Sequence, residues 1–327
     1  MKASPSCKFL RVSLGQIDGS DGLTDFSLSP VPESLETSVR EIGVMHPVIL
    51  VRSGQRFRVV CGHRRLKICQ GMKVDCIPAG VLDTNLDAEA MLAANLTENH
   101  SHRIYSDIEK AQVLGKLAHA GAAVDRIIRK YMPILGIESS KKLFQDFSAA
   151  GQLTPGMQKI LHELKVPLRV ISLLCRWDPA SRDAAEELFS VLRPGVNKCR
   201  ELLELAGETA RREESSPAGI LLRREVQSVL EQDLPAPEKY DLIHQTLYRW
   251  RYPALSDLQK RVASALDQLR LDPKTKVRFQ ESFESGEIRI ELKFQDRDSL
   301  IRQIEKLSRA SQSPAMDELI RIIRDAG

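Results

Sequence analysis

Hydrophobic and polar positions change period several times along this chain, and the changes predict its elements. Phe9–Ile17 (FLRVSLGQI) reads as a strand. After a Gly/Ser/Asp/Pro-rich loop, Pro32–Ile42 places Leu35, Val39 and Ile42 on one helix face and stops at Gly43. Pro47–Arg52 and Phe57–Val60 are β-branched runs parted by Ser53-Gly54, which predicts a hairpin. Helix Arg64–Met72, strand Asp75–Leu82 and helix Asp87–Asn95 complete a small α/β unit.

From Asp107 to about Arg212 strand signals vanish. Helical periods follow one another over Asp107–Ala120, Ala123–Leu135, Ser139–Ala150, Pro155–Leu164, Pro167–Arg176, Ser181–Leu192 and Asn197–Glu213, the pattern of an all-α region. Glu213-Glu214-Ser215-Ser216-Pro217 marks a linker, followed by a helix Gly219–Glu231 and the breaker Pro235-Ala236-Pro237. The last unit reads as helix Leu255–Leu269, strand Lys276–Phe283, turn Glu284-Ser285-Gly286, strand Glu287–Phe294 and helices Asp298–Leu307 and Met316–Ile323. The strict alternation of Glu287–Phe294 predicts one buried and one charged face.

Composition narrows the class. A chain of 327 residues exceeds one ordinary core, so roughly two or three domains are expected. Hydrophobic residues at 42% and charged residues at 28% exclude disorder throughout. No apolar run approaches the roughly 18–20 residues of a membrane span, and Met1–Leu10 is too polar for a signal-peptide core, so a cytoplasmic protein is expected. The 6 cysteines form no C-x-x-C pair and have no histidines at metal spacing, which makes them reduced structural thiols. A net charge of only +4 permits a polyanionic partner without demanding one, so local clusters must carry that signal.

The richest cluster is Val59-Val60-Cys61-Gly62-His63-Arg64-Arg65-Leu66: a strand, a glycine, then arginines on the first turn of a helix. Glycine lets backbone approach a ligand, while free N–H groups and guanidinium forks suit phosphate oxygens. The competing reading is a plain strand-to-helix turn with solvated arginines. Glu98-Asn99-His100-Ser101-His102-Arg103 follows at an inter-helix joint, where an acid and an amide beside cations can hold magnesium and orient triphosphate oxygens, or merely cap helices.

Together these segments resemble the ParB partition-protein family. Its members carry a glycine-hydrophobic-Gln-Pro element, a strand ending in Gly-Glu-Arg-Arg and, further on, Glu-Asn-Leu-Gln-Arg. Here Gly43-Val44-Met45-His46-Pro47, Gly62-His63-Arg64-Arg65 and Glu98-Asn99-His100-Ser101-His102-Arg103 stand in that order, and Ile108-Glu109-Lys110-Ala111 matches the helix start that follows. The resemblance implies CTP bound with Mg2+ and a dimeric clamp closing on DNA. It places Gly62, Arg64 and Arg65 at the phosphates, Glu98 and Asn99 at the metal and triphosphate, and Gly43, His46 and Pro47 near the base, with His63 and Arg103 also in the nucleotide site. The departures are His63 for the family's Glu, His46 for its Gln, and Ser101-His102 for its Gln-Arg. With that carboxylate gone, no catalytic residue is assigned, and the resemblance implies at most a slow, DNA-stimulated CTPase. Sulfiredoxin, which is similar in this fold, uses a cysteine in Gly-Cys-His-Arg; here the order is Cys61-Gly62-His63-Arg64, and Cys61 reads as a small core hydrophobe.

In the helical region, Ala123–Leu135, the turn Gly136-Ile137-Glu138 and the segment from Ser139 to Phe147 have the form of a helix-turn-helix. Ser139 is expected to cap the second helix, with Ser140, Lys141, Lys142 and Gln145 facing a DNA groove and Leu143, Phe144 and Phe147 packing inward. A purely structural bundle is the alternative. Trp177 and the cluster Tyr248-Arg249-Trp250-Arg251-Tyr252 interleave aromatics with arginines, which reads better as packing with wet guanidiniums than as base stacking. Gly286-Glu287-Ile288-Arg289-Ile290 and the helix from Ser299 to Leu307 resemble the family's dimerisation module. Two strands and two helices are too small a core alone, so pairing with a second copy is expected.

The expectation is thus a multidomain α+β protein. Residues 1–105 form a small α/β ParB/sulfiredoxin-like nucleotide-binding domain, residues 106–214 an all-α helix-turn-helix domain, residues 215–254 a linker and connecting helix, and residues 255–327 a small α+β dimerisation domain. The expected function is a CTP-dependent homodimeric clamp on double-stranded DNA in plasmid or chromosome partition, nucleoid-associated, with a partition ATPase as a candidate partner and no membrane. The rivals are a transcriptional regulator with a vestigial nucleotide site and a phosphoryl-transfer or nuclease-like enzyme.

Overall fold

The computed structural model describes residues 6–100, 103–279 and 287–326, which fall into two compact units dividing after Glu204. The first begins with a five-stranded mixed sheet: β1 (Cys7–Ser13), β2 (Ile17–Asp18), β3 (Val48–Ser53), β4 (Arg56–Cys61) and β5 (Cys76–Leu82), in the order β1-β5-β3-β4-β2. The strand expected over Phe9–Ile17 is interrupted by a 3-10 turn at Leu14–Gln16, because the chain must cross from one sheet edge to the other. There β1 pairs antiparallel with β5, while the two residues of β2 pair parallel with β4. The hairpin β3–β4 turns at Gly54, whose φ is +60°.

Helices α1 (Glu33–Ile42) and α2 (His63–Gly71) supply Val39, Leu66 and Ile68 to a core shared with Val48, Leu50, Phe57 and Val59. Helix α3 (Ala88–Asn99) places Met91 in a second cluster with Val51, Val60 and Cys61. The register shifts between Ile49 and Leu50, so that Ile49 faces Cys61 while Leu50 faces Val59. This irregularity turns Cys61 into the second cluster just before the chain reaches Gly62. Helix α3 runs longer than its expected end at Asn95, and Glu98 and Asn99 form its last turn rather than an inter-helix loop.

The helical part of this unit follows its expected segments closely. It comprises α4 (Asp107–His119), α5 (Val124–Arg126), a π-helical turn Ile127–Tyr131, α6 (Met132–Ile134), α7 (Lys141–Ala150), α8 (Pro155–Glu163), α9 (Leu168–Cys175), α10 (Pro179–Leu192) and α11 (Val196–Arg212), which runs on past the division. Ser106 and Glu109 close a capping box at the start of α4. The π-helical turn leads directly to Pro133, which has no N–H to return to the preceding turn.

In the second unit the segment expected as one helix over Gly219–Glu231 is two, α12 (Pro217–Leu221) and α13 (Arg224–Glu231). Extended backbone at Arg223 separates them, and its guanidinium is held by Glu213 and stacks 4.6 Å above the Trp250 ring. The breaker at Pro235-Ala236-Pro237 instead opens a further helix, α14 (Ala236–Arg251), since proline fits the first turn where no N–H is needed. Along it Tyr240, His244, Tyr248 and Tyr252 contact one another ring to ring. Then come α15 (Pro253–Gln268), β6 (Thr275–Phe279), β7 (Ile288–Leu292), α16 (Arg297–Ser311) and α17 (Pro314–Ala326). Val262, Ala265, Leu319 and Ile322 centre their core.

The predicted buried face of Glu287–Phe294 is only partly covered. Ile288 packs on the core, but Ile290 and Phe294 remain 37% and 53% exposed, with Ile301 and Ile304 of α16 also open. The expected turn Glu284-Ser285-Gly286 lies outside the described residues. Among the described residues no helix is long and apolar enough to cross a membrane.

Candidate functional site

The strand-to-helix joint after β4 is built around Gly62, whose φ of +102° disfavours any side chain. A Cβ there would also meet the Val48 backbone and side chain at 3.3 Å. The turn brings His63, Arg64 and Arg65 onto the start of α2, where they line a cavity of about 250 Å³ together with Asn99 and Arg103. Thr24, Asp25, Ser27, Leu35 and Asn95 complete its wall. The expected phosphate residues Gly62, Arg64 and Arg65 therefore share one cavity with Asn99 and Arg103 from the later segment.

Each side chain is held before any ligand arrives. Arg64 donates through Nε and a terminal nitrogen to Ser27 Oγ at 3.1 and 2.6 Å. Arg65 donates to the carbonyls of His46 and, at 3.1 Å, Pro47. Arg103 pairs with the buried Glu109 at 2.7 Å and lies over the Tyr105 ring. Burial pulls the Arg64 and Arg65 guanidiniums below their ordinary range, with Arg103 adding to the effect on Arg64. A multivalent anion would relieve that unfavourable burial.

Beneath them lies a polar floor that sequence reading missed. Buried Asn95 donates its amide to the Val60 carbonyl at 2.6 Å and the Thr24 carbonyl at 3.3 Å, and Asn99 donates to both the backbone and side-chain oxygens of Asn95. The available signal was an amide at core spacing among Met91, Leu92 and Leu96. Thr24, Asp25 and Ser27 sit in the loop that had been read only as a connector. Burial pushes the Asp25 carboxyl up, but the Lys67 ammonium at 2.7 Å, the Ser27 N–H and nearby His63 outweigh it and leave it below the usual range.

Other expected residues stand apart. Gly43 ends α1 at φ +78°, and neither it nor His46 nor Pro47 lines the 250 Å³ cavity; Arg65 alone ties His46 and Pro47 to it. Glu98 is exposed and lines a separate recess with Lys130 and Tyr131, so the structure does not bring it to Asn99 in one cavity. Among the described residues no three His, Cys, Asp or Glu side chains are grouped to hold a metal ion. Burial, helped by Glu98, pushes the Cys61 thiol up to about 12 against Arg65, so it is an inert core thiol at neutral pH.

A larger cavity of about 750 Å³ adjoins the first and shares Arg64 and Arg103 with it. Its wall includes His162, which joins Ser29 Oγ at 2.7 Å to Ser106 Oγ at 2.8 Å and so links the loop before α1 to the helices. From α3, Glu89 reaches Arg126 at 2.9 Å and accepts from Tyr131 at 2.8 Å, and His100 meets the Ile134 carbonyl.

The second candidate surface is α7. Its cap is Ser140, not the expected Ser139: Ser140 Oγ accepts from Leu143 N, while Ser139 Oγ donates to the Ile128 carbonyl and braces the preceding helical turn. Lys141, Lys142 and Gln145 are exposed on one side, and Phe147 and Ala150 are buried on the other.

Comparison with known proteins follows the same residues. A model of the ParB N-terminal domain matches residues 23–100. A probable plasmid-partitioning protein ParB of Thermus thermophilus is 34% identical over 100 residues, covering 29% of this chain and 32% of that protein. A probable chromosome-partitioning protein ParB of Pseudomonas putida is 34% identical over 90 residues, covering 26% and 30%. The chain thus spans about a third of the length of the curated relatives it matches. Among solved structures, a Pnob8-like ParB-N domain superposes with a TM-score of 0.36 at 14% identity, over 75% of this chain and 99% of that one. The C-terminally truncated chromosome-partitioning protein ParB from Caulobacter crescentus, complexed with CTP-gamma-S, gives 0.25 at 14%, over 65% and 97%.

Residues 23–100, which include the strand-to-helix joint and Asn99, thus match the ParB N-terminal domain. The match to the ParB family is confined to this segment.

Proposed function

We propose that this chain is a nucleotide-responsive DNA-binding protein of the ParB type that serves DNA partition. Residues 1–105 bind a nucleoside triphosphate, with CTP the first candidate from the family resemblance. Residues 106–214 grip double-stranded DNA, with Lys141, Lys142 and Gln145 of α7 at the groove and Ser139 and Ser140 bracing the helix start. Residues 255–327 pair two copies through the open apolar side chains Ile290, Phe294, Ile301 and Ile304.

The convergence of Gly62, Arg64, Arg65, Asn99 and Arg103 on one cavity is the observation that carries this reading. Two features support a route from that cavity to the DNA-facing helices: α3 ends in Asn99 at its wall, and the same helix holds Arg126 and Tyr131 through Glu89. A nucleotide that binds one arrangement of α3 better than another shifts the grip by that difference in affinity. Turnover is not needed. His63 replaces the Glu of the family motif, and Asp25 is engaged by Lys67.

The test is a titration of the full chain with CTP, ATP, GTP and UTP, with and without magnesium and DNA, beside Arg64→Ala. The expected result is saturable binding of one triphosphate, weakened about 10- to 100-fold by loss of one charge-assisted anchor. Equal affinity of wild type and variant, or none for any triphosphate, rules the reading out.

A further inference from the structure

The protonation of His63 in the free cavity is dictated by its neighbour. Thr24 Oγ1 has a single hydrogen, donated to the Val59 carbonyl at 2.6 Å. Toward His63 Nε2, 2.8 Å away, the same oxygen can only accept, so Nε2 carries the ring hydrogen. In the neutral imidazole Nδ1 is then a bare lone pair, and among the described residues no donor reaches it. A lone pair repels a phosphate oxygen, whereas the protonated ring offers that oxygen a charged donor.

On the reading that the cavity takes a triphosphate, we propose that His63 binds the polyphosphate as an imidazolium, so that each nucleotide bound draws a proton from solvent onto Nδ1. The ring lines the cavity beside Arg64 and Arg65, at the first residue of α2. The charged groups bearing on it are Asp21 and Asp25 from the loop before α1, Lys67 of α2 and Lys116 of α4. Neither carboxylate bonds to the ring: Asp25 is held by Lys67 and Asp21 by Arg58 at 2.6 Å. From α3 the cavity receives only the neutral amides of Asn95 and Asn99. The proton thus adds positive charge in a cavity whose one lining carboxylate, Asp25, is already engaged by Lys67.

The free ring is already poised for this. Burial first, then Lys67 and Lys116, hold His63 below the usual histidine range against the opposing pull of Asp25 and Asp21. Its environment therefore favours the neutral ring, and on this proposal the bound polyphosphate pulls the other way. Affinity is lowest above the bound pKa and rises as pH falls toward the free one, by at most about tenfold per pH unit for a single proton.

The experiment is calorimetric titration of the full chain with CTP and with inorganic tripolyphosphate, near neutral pH, in buffers of different ionisation enthalpy. Net uptake approaching about one proton per ligand is expected. Arginines acting alone favour the fully ionised phosphate and drive proton release, the opposite sign. His63→Gln keeps a donor for Thr24 but cannot ionise, so it should bind without uptake. Binding by wild type without proton uptake, or uptake undiminished in His63→Gln, overturns the proposal. Should that variant not fold, the His63 ring resonances of the wild type, titrated with and without tripolyphosphate, must show the raised pKa or the proposal fails. If neither ligand gives a heat of binding, it is the nucleotide reading itself that is lost, a failure distinct from binding without uptake.

Discussion

The cavity at the start of α2 and the outer face of α7 both collect cations, yet they hold them in opposite ways. In the cavity every arginine is tied: Arg64 to Ser27, Arg65 to two carbonyls, Arg103 to Glu109. On α7, Lys141 and Lys142 extend from an exposed surface with no hydrogen bond or ion pair among the described residues. The first arrangement has its ordering entropy settled during folding and suits a compact multivalent anion. The second orders only on contact, and suits an extended polyanion whose binding is driven by counterion release. The same charge, placed on a fixed or a free side chain, thus suits the two kinds of partner proposed above.

The sharpest way to break this contrast is to remove the rigidity of the cavity. Gly62→Val puts a branched side chain at φ +102° and against Val48. Strain of this kind costs about 1–3 kcal/mol, and the crowded β3 backbone places the effect at the upper end of that range. Thermal melting should show the loss, and triphosphate binding should disappear even in the folded fraction. An unchanged melting temperature with intact binding would show that the turn is not what fixes the cavity.

A smaller effect is expected from Asn95→Leu, which keeps the volume of the core but deletes its amide. The Val60 and Thr24 carbonyls lose their donor, and Asn99 loses the side-chain oxygen it donates to. Buried carbonyls left unpaired cost about 1–3 kcal/mol, seen as a shifted denaturation midpoint. Weaker triphosphate binding should follow as Asn99 is released, while DNA binding at α7 is retained. If the midpoint does not move, the polar floor does not hold the cavity together.

That floor also shows where the sequence stops speaking. Gly62, Arg64 and Arg65 were legible as a cluster because they stand close together along the strand-to-helix step, although a plain turn with solvated arginines fits the same pattern. Asn95 was not, because its role is set by two carbonyls, Val60 and Thr24, that lie far from it along the chain. Thr24 and Ser27 were invisible for the same reason: a loop declares no partner until the sheet has placed it. Element types in α4 through α10 followed directly from period and punctuation. The prolines at 235 and 237 misled because the same residue that ends one helix can begin the next. The strict alternation of Glu287–Phe294 predicted a buried face that the chain covers only in part, with Ile290 and Phe294 left exposed.

The mildest change tests the free half of the comparison. Lys142→Ala removes an exposed cation from α7 without touching Phe147 or Ala150, and alanine suits a helix at least as well as lysine, so stability should stay within about 0.5 kcal/mol. If Lys142 contacts a phosphate, affinity for unrelated duplexes should fall nearly uniformly, and the slope of log affinity against log salt should decrease by about 1. Selective loss on one sequence would instead assign Lys142 to a base edge. Triphosphate affinity measured without DNA should not change, because the cavity contains none of the α7 side chains. A variant that bound every duplex with wild-type affinity and wild-type salt slope would remove Lys142 from the DNA face.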